Sequence, residues 1–325
     1  MNNHDDIPAE LKRQIFKRLS EKYKRCLWPF EECKRKPSNA HSIQNAHTMD
    51  LLQRDGHVIM PREDFKLDSG PNIIFKSVSR HRASTFTGLC NYHDSEFFRP
   101  IDKETIDLKN KEHLFLIMYR SVIKEYHATL DNSQSLMTSI IDAEKHGFIE
   151  SNEESPAIQF ATGKLIDSYE TFLYWSKLNN IFFESNYSEI KHLVLCLPST
   201  RPCLAVSSLF PLELQRRKVE APPFLIINIQ PEANGTHTAI FSYLAEHISW
   251  ANSILPRFTH ATGDHLLYEI SKLILEKCEN LVISPNIFDG FSINKKNTLL
   301  KFFSGNISSL GFRLEMDSPE LMLFE

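Results

Sequence analysis

Two cysteines separated by six residues, Cys26-LWPFEE-Cys33, are followed after a long interval by Gly88-Leu89-Cys90-Asn91-Tyr92-His93-Asp94, and this pattern constrains the chain more than any other feature. A pair of cysteines and a later Cys-x-x-His supply four soft or borderline donors in two pairs, the set that tetrahedral zinc prefers. The first spacing exceeds the usual two to four residues, but the loop contains Pro29 and can turn both thiolates back to one point. Cys26, Cys33, Cys90 and His93 are therefore the expected ligands of one structural zinc ion. Residues 26 to 100 otherwise read as turns and short elements, punctuated by KRKPSNAHS, DSGPN and the stretch around Arg80 to Ser84. Such a unit holds few aliphatic residues, and a bound metal is the usual substitute for a core.

The remaining cysteines, Cys196, Cys203 and Cys278, lie in apolar stretches and read as core filling. Six cysteines without a secretory leader argue against a disulfide framework. The N-terminus, MNNHDDIPAELKRQ, is charged from the start, and no stretch approaches the ~18 apolar residues of a membrane span. The expectation is a cytoplasmic protein with no membrane partner. At 325 residues and 42% hydrophobic, the chain is long and apolar enough for a sizeable core.

The net charge of -4 conceals an asymmetry: Glu10 to Lys36 carries ten Lys or Arg against four Glu, whereas Asp142 to Glu189 runs acidic. A basic arm beside a metal site suits a polyanion such as DNA or RNA, since Lys and Arg make most phosphate contacts. A helix with a basic solvated face needs no partner, and that reading stands beside the first.

Leu11, Ile15, Phe16 and Leu19 recur at helical spacing and predict an amphipathic helix from Ala9 to about Arg25. After Pro100 three helical patterns follow, Lys111 to His127, Ser133 to Lys145 and Ala157 to Asn179. The stripe Phe160, Leu165, Tyr169, Phe172 and Trp175 on the third reads as core. From Lys191 the apolar runs shorten and gain β-branched residues (HLVLCL, CLAVSSLF, PPFLIINI, HTAIFSYL), predicting a mixed or mostly antiparallel sheet. Helices near Asp264 to Glu279 and Lys295 to Phe303, with strands at LVIS and GFRLEM, complete an α+β plan. The expected division is residues 1–105, a basic helix and a finger, and residues 106–325, helical over 106–185 and sheet-containing over 186–325.

Three short strings carry a family resemblance: Ala40-His41-Ser42-Ile43, the Gly88–Asp94 segment quoted above, and Phe97 just beyond it. They resemble the HNH, or His-Me finger, nucleases, in the branch whose motif runs AHI, a long interval, then GLC-x-x-[CH]-H-x-x-F. The resemblance covers about residues 26 to 100. It implies a ββα-metal, treble-clef finger in which His41 ends a strand and acts as general base. Cys90 and His93 match the second zinc pair, Asp94 falls where a catalytic metal ligand sits, and Phe97 matches a packing aromatic. An imidazole titrates near neutrality and can activate water, and a carboxylate suits a hard cation such as magnesium or manganese.

Ala40 stands where many of these enzymes have an Asp, and no residue takes the place of the middle Asn; Asn39, Asn45 and Asn91 are out of register, and Thr85 or Thr87 occupies that region. The interval between the motifs exceeds the usual hairpin, so Leu51 to Lys66 reads as an insertion, and His47 and His57 within the interval are weaker metal candidates. Lys34, Arg35, Lys36, Arg80 and Arg82 are the expected phosphate contacts, with DNA ahead of RNA as the partner. A nuclease fused to an unfamiliar α+β domain is similar in architecture to restriction or anti-phage effectors. The alternative is a non-catalytic zinc finger that binds nucleic acid or a protein partner. No P-loop, GxGxxG or nucleophile elbow occurs in the chain, and the C-terminal part could serve a homo-oligomer or a protein partner.

Overall fold

The computed structural model describes residues 23–66, 70–103, 106–147, 155–212, 221–307 and 314–325. The helix expected from Ala9 falls outside the described residues up to position 22, and Tyr23 to Arg25 are not helical.

The architecture is α+β. Strand β1 (Pro37–His41) pairs antiparallel with β4 (Thr85–Cys90), placing Pro37 opposite Cys90 and His41 opposite Thr85. Helix α1 (Asn91–Phe97) leaves β4 at once, so the two motif-bearing segments form one ββα unit. Gly88 is required within it. An added Cβ would lie 2.8 Å from the Phe86 ring, and the Gly88 carbonyl accepts the Leu27 amide at 2.7 Å, tying the Cys26 loop to β4.

The chain between the motifs is not the run of turns and short elements expected for residues 26 to 100. It contains β2 (His57–Lys66) and β3 (Gly70–Ser79), a hairpin paired without interruption from His57↔Ser79 to Lys66↔Gly70. Pro61 and several charges break the apolar alternation of β2, while Ile73, Ile74 and Val78 supply strand formers to β3. The hairpin forms one end of a seven-stranded antiparallel sheet in the order β3-β2-β9-β6-β7-β8-β5. The other strands are β5 (Ile190–Leu197), β6 (Leu204–Pro211), β7 (Phe224–Pro231), β8 (His237–Leu244) and β9 (Leu281–Ile283). Ile59 pairs with Ile283 at the join. The sheet thus runs across the boundary placed at residue 105.

Beyond α2 (Arg99–Asp102) come two long helices, α3 (Lys111–Lys145) and α4 (Pro156–Phe183). The two patterns read as separate helices, Lys111 to His127 and Ser133 to Lys145, are one. No Pro or Gly stands between them, and Thr129 and Ser133 turn their hydroxyls back onto the carbonyls of Tyr126 and Leu130 at 3.0 Å. Asn110 caps the start, its side chain accepting the Glu112 amide at 2.9 Å. Gly147 ends it with φ +71°.

The aromatic stripe of α4 corrects its reading as core. Trp175 is buried, but Phe160, Leu165, Tyr169 and Phe172 are 38 to 55% exposed. Helical periodicity locates a stripe without saying which side a neighbour covers. Cys196, read as core, is also exposed, because it occupies an outward position of the end strand β5. In the string GFRLEM, Leu314 to Met316 form no strand, and the preceding residues lie outside the described set. The expected late helices are α5 (Gly263–Lys277) and α6 (Ile293–Ile307). Among the described residues no helix is long and apolar enough to cross a membrane.

Two large cores result. One lies between the sheet and the C-terminal helices, and the other joins the ββα unit (Leu27, Ala40, Phe86, Leu89, Phe97, Phe98) to α3 and α4. Phe97 contacts Tyr119 and Phe182 at ring-centroid distances of 4.9 and 4.7 Å, a burial contributing about 1.5–3 kcal/mol. At the seam, Asn280 Nδ2 donates to Ser42 Oγ (2.8 Å), Ser84 Oγ (3.1 Å) and the Ser207 carbonyl (2.9 Å). Ser84 holds φ +55° there, and its carbonyl accepts the Ser42 amide at 2.9 Å. This network fixes the chain immediately after His41 against the sheet.

Candidate metal centre and adjoining polar site

The Cys26 loop, the segment before β1 and the β4–α1 turn converge so that one donor atom each from Cys26, Cys33, Cys90 and His93 lie within 4.8 Å of one another. Cys33 Sγ is 3.8 Å from Cys90 Sγ, and His93 Nδ1 is 3.4 Å from Cys26 Sγ and 3.5 Å from Cys90 Sγ. Zinc bonds of ~2.3 Å to sulfur and ~2.0–2.1 Å to nitrogen at tetrahedral angles give edges of ~3.8 Å (S–S) and ~3.6 Å (S–N). The cluster has the dimensions of a metal-binding tetrahedron, and these four residues can hold a metal ion. The six-residue loop closes as its proline suggested.

The surroundings support that use. The Cys90 amide donates to Cys26 Sγ at 3.3 Å. The Trp28 ring stacks on His93 at 4.4 Å with a 14° tilt, fixing the imidazole plane. Burial, with the neighbouring Cys90 and Cys33 adding to it, pushes the Cys26 thiol up to about 12. Cys90 shifts down despite its burial, through hydrogen bonds from the His93 backbone and the other two cysteines. Burial and the nearby Arg35 lower His93, keeping it neutral and able to donate a lone pair. A cation among the thiolates removes the repulsion that holds Cys26 protonated.

On the other side of the unit, His41 ends β1 and Asp94 lies on α1. His41 Nε2 and Asp94 Oδ1 are buried atoms without a hydrogen-bond partner. The main chain of Arg80 accepts a hydrogen bond from the His41 ring, which leaves Nε2 as the free lone pair. Burial lowers His41 and raises Asp94. Each also feels the same two charges, those of Arg120 and Asp102.

Arg120 and Asp102 escaped the sequence reading. Arg120 comes from α3 and is 5% exposed. Its Nη1 and Nη2 donate to Asp102 Oδ1 (2.8 Å) and Oδ2 (2.6 Å), and its guanidinium lies 4.0 Å over the Phe98 ring. Arg120 Nε is buried without a partner, like His41 Nε2 and Asp94 Oδ1. The available signal was a lone arginine inside the apolar helical run LFLIMYRSVI.

The expected phosphate contacts divide. Lys34, Arg35 and Lys36 are exposed just before β1, with Arg35 4.1 Å over the Tyr92 ring. Arg82 is exposed, whereas Arg80 is half-buried and ion-paired with Asp50. Among the weaker candidates, His57 binds the Asp55 carbonyl through Nδ1 at 2.8 Å and His47 is exposed; neither joins the cluster. Thr87 Oγ1 lies 3.2 Å from His127 Nε2 and is thereby committed away from the His41 side chain. Comparison with protein-family models, with curated proteins and with solved structures returns no match.

Proposed function

We propose that this chain is a metal-dependent endonuclease of HNH type, with zinc as the scaffold at Cys26, Cys33, Cys90 and His93. The observation that carries the reading is the pair of unpartnered buried atoms, His41 Nε2 and Asp94 Oδ1, on the strand and helix that the cysteine cluster holds together. A buried polar atom without a partner costs about 1–3 kcal/mol, and such a cost at two adjacent positions suits groups reserved for a ligand.

In the proposed reaction His41 Nε2 takes a proton from a water molecule as the water oxygen bonds to phosphorus. The P–O bond to the leaving sugar oxygen breaks, and that oxygen leaves as an alcohol after taking a proton from solvent. A magnesium or manganese ion held at Asp94 supplies the positive charge that offsets the phosphate and the leaving oxygen. His41 suits its role because burial keeps it neutral at physiological pH. Lys34, Arg35, Lys36 and Arg82 are the groups we assign to the nucleic-acid backbone, with DNA as the first substrate to test. A restriction or anti-phage role is the biological setting we favour.

The second reading, a zinc finger that binds nucleic acid or a protein without cutting, is favoured by the burial of both unpartnered atoms. The two are separated by assaying wild type and His41→Ala on plasmid DNA and RNA with added magnesium or manganese, alongside elemental analysis. One zinc per chain with cleavage lost in His41→Ala supports the nuclease. Zinc with no cleavage by wild type supports the binding module.

A further inference from the structure

We infer that Arg120, contributed by α3 from outside the finger, is the phosphate-contacting group of the His41–Asp94 site, held in place by Asp102 and Phe98. This rests on the nuclease reading and supplies a third functional side chain that the finger itself lacks.

The argument is geometric. A guanidinium presents two hydrogen-bonding edges beyond a single carboxylate's reach. Asp102 occupies only the Nη1 and Nη2 side, at 2.8 and 2.6 Å, and Phe98 covers one face at 4.0 Å. The Nε side is buried and unpartnered. A side chain fixed on one edge and one face, with the other edge empty, is preorganised for a second oxyanion. Asp102 itself is partly exposed, its side chain at 34%, so this pair reaches solvent on the side of α2.

A polar cavity of about 40 Å³ adjoins Arg120 and opens beside the residues that follow His41. Ser42, Gln44, Thr48, Ser207 and Asn228 line it with Arg120. Asn228 Nδ2 is another buried donor without a partner. Two unused donors facing a small polar space describe a place for acceptor oxygens, such as those of a phosphate with its water. The same charge acts on both His41 and Asp94, which places Arg120 within electrostatic reach of the reacting groups.

The test uses the full chain and two variants, Arg120→Lys and the double variant Arg120→Gln with Asp102→Asn, which leaves no uncompensated carboxylate. Binding of a short fluorescent DNA duplex is followed by anisotropy without divalent metal over a range of salt, and cleavage is followed with magnesium or manganese. Arg120→Lys loses the planar fork, and both variants are expected to bind about 10- to 100-fold more weakly, the loss of one charge-assisted contact. The double variant also lowers the slope of log K against log salt by about one. Zinc content and cooperative melting stay as in wild type, and kcat/KM falls with binding.

Wild-type binding, salt slope and cleavage in both variants overturn the role of Arg120 and leave the nuclease reading intact. Loss of activity accompanied by loss of zinc or of cooperative melting in both variants makes Arg120 structural and overturns it too. A wild type that neither binds nor cleaves overturns the nuclease reading and this inference together.

Discussion

Acidification should destabilise this protein through a histidine far from the metal centre, and the size of the effect follows from its contacts. His237, on β8, is fully buried. Its Nε2 accepts the Cys203 amide at 3.1 Å, with the Leu204 amide at 3.4 Å. Its Nδ1 faces Ser199 Oγ at 2.5 Å, and that hydroxyl donates to the Gly235 carbonyl at 2.8 Å, so Nδ1 carries the proton. A proton added at Nε2 would confront two N–H groups in a buried site. Burial accordingly pulls His237 from 6.5 down to about 4.

A folded-state value below the unfolded one means that the unfolded chain binds protons more readily. The stability contribution is therefore complete above about pH 6.5 and is lost as pH falls toward 4. A shift of that size corresponds to about 3 kcal/mol between pH 7 and pH 4. Acid also strips metal from cysteines, so the assay is a difference. Urea unfolding of wild type and His237→Gln is measured at a series of pH values, because glutamine retains an acceptor and does not titrate. The advantage of wild type over the variant should shrink by about 3 kcal/mol across this window. A difference that stays constant within about 0.5 kcal/mol would refute the assignment of His237 as a buried, neutral acceptor.

Cys33→Ser should weaken metal binding by roughly 100-fold or more, about a quarter of the ~10–16 kcal/mol of a structural zinc site, read by competition with a chromogenic chelator. Asn280→Ala strands the Ser207 carbonyl and removes donors from Ser42 and Ser84; it should cost about 2–4 kcal/mol in urea unfolding, and a loss below about 0.5 kcal/mol would show the seam to be dispensable. His41→Ala deletes an unpartnered buried nitrogen, so it should leave melting unchanged or raised while reducing cleavage by at least about 100-fold.

The parts of the fold legible in the sequence were those governed by local periodicity. Strands β5 to β8 and helices α5 and α6 stand where short β-branched runs and amphipathic spacing placed them. The Cys26, Cys33, Cys90 and His93 cluster was legible because donor type and spacing are local, even with a long gap between the pairs. What failed depended on tertiary neighbours. The exposed side of α4 is invisible to a periodicity argument, since Leu165 and Tyr169 carry the same letters whether covered or bare. The β2–β3 hairpin was missed because Pro61 and its charges hide the alternation, and its partner strand β9 lies more than two hundred residues away. Arg120 and Asp102 could be assigned no role from sequence, because neither belongs to a short motif and their pairing exists only once α3 packs on the finger.

That packing changes how the finger is to be understood. A small zinc unit ordinarily supplies its own stability from the metal. Here the segment between its two motifs is a hairpin built into the end of a seven-stranded sheet, and Asn280 clamps the loop after His41. Phe97 and Phe98 are shared with the core of α3 and α4. The metal therefore needs to fix only the Cys26 loop and the start of α1, while His41 takes its position from β1, the Arg80 main chain and the seam. On this argument chelation and seam mutation have separable effects. Removing the metal should release the Cys26 loop and Asp94 first, and Asn280→Ala should disturb the His41 side with zinc still bound. Backbone hydrogen exchange at Cys90–Asp94 and at His41–Ile43 distinguishes the two, and simultaneous loss of protection in both segments under either treatment would mean that the finger is one cooperative unit.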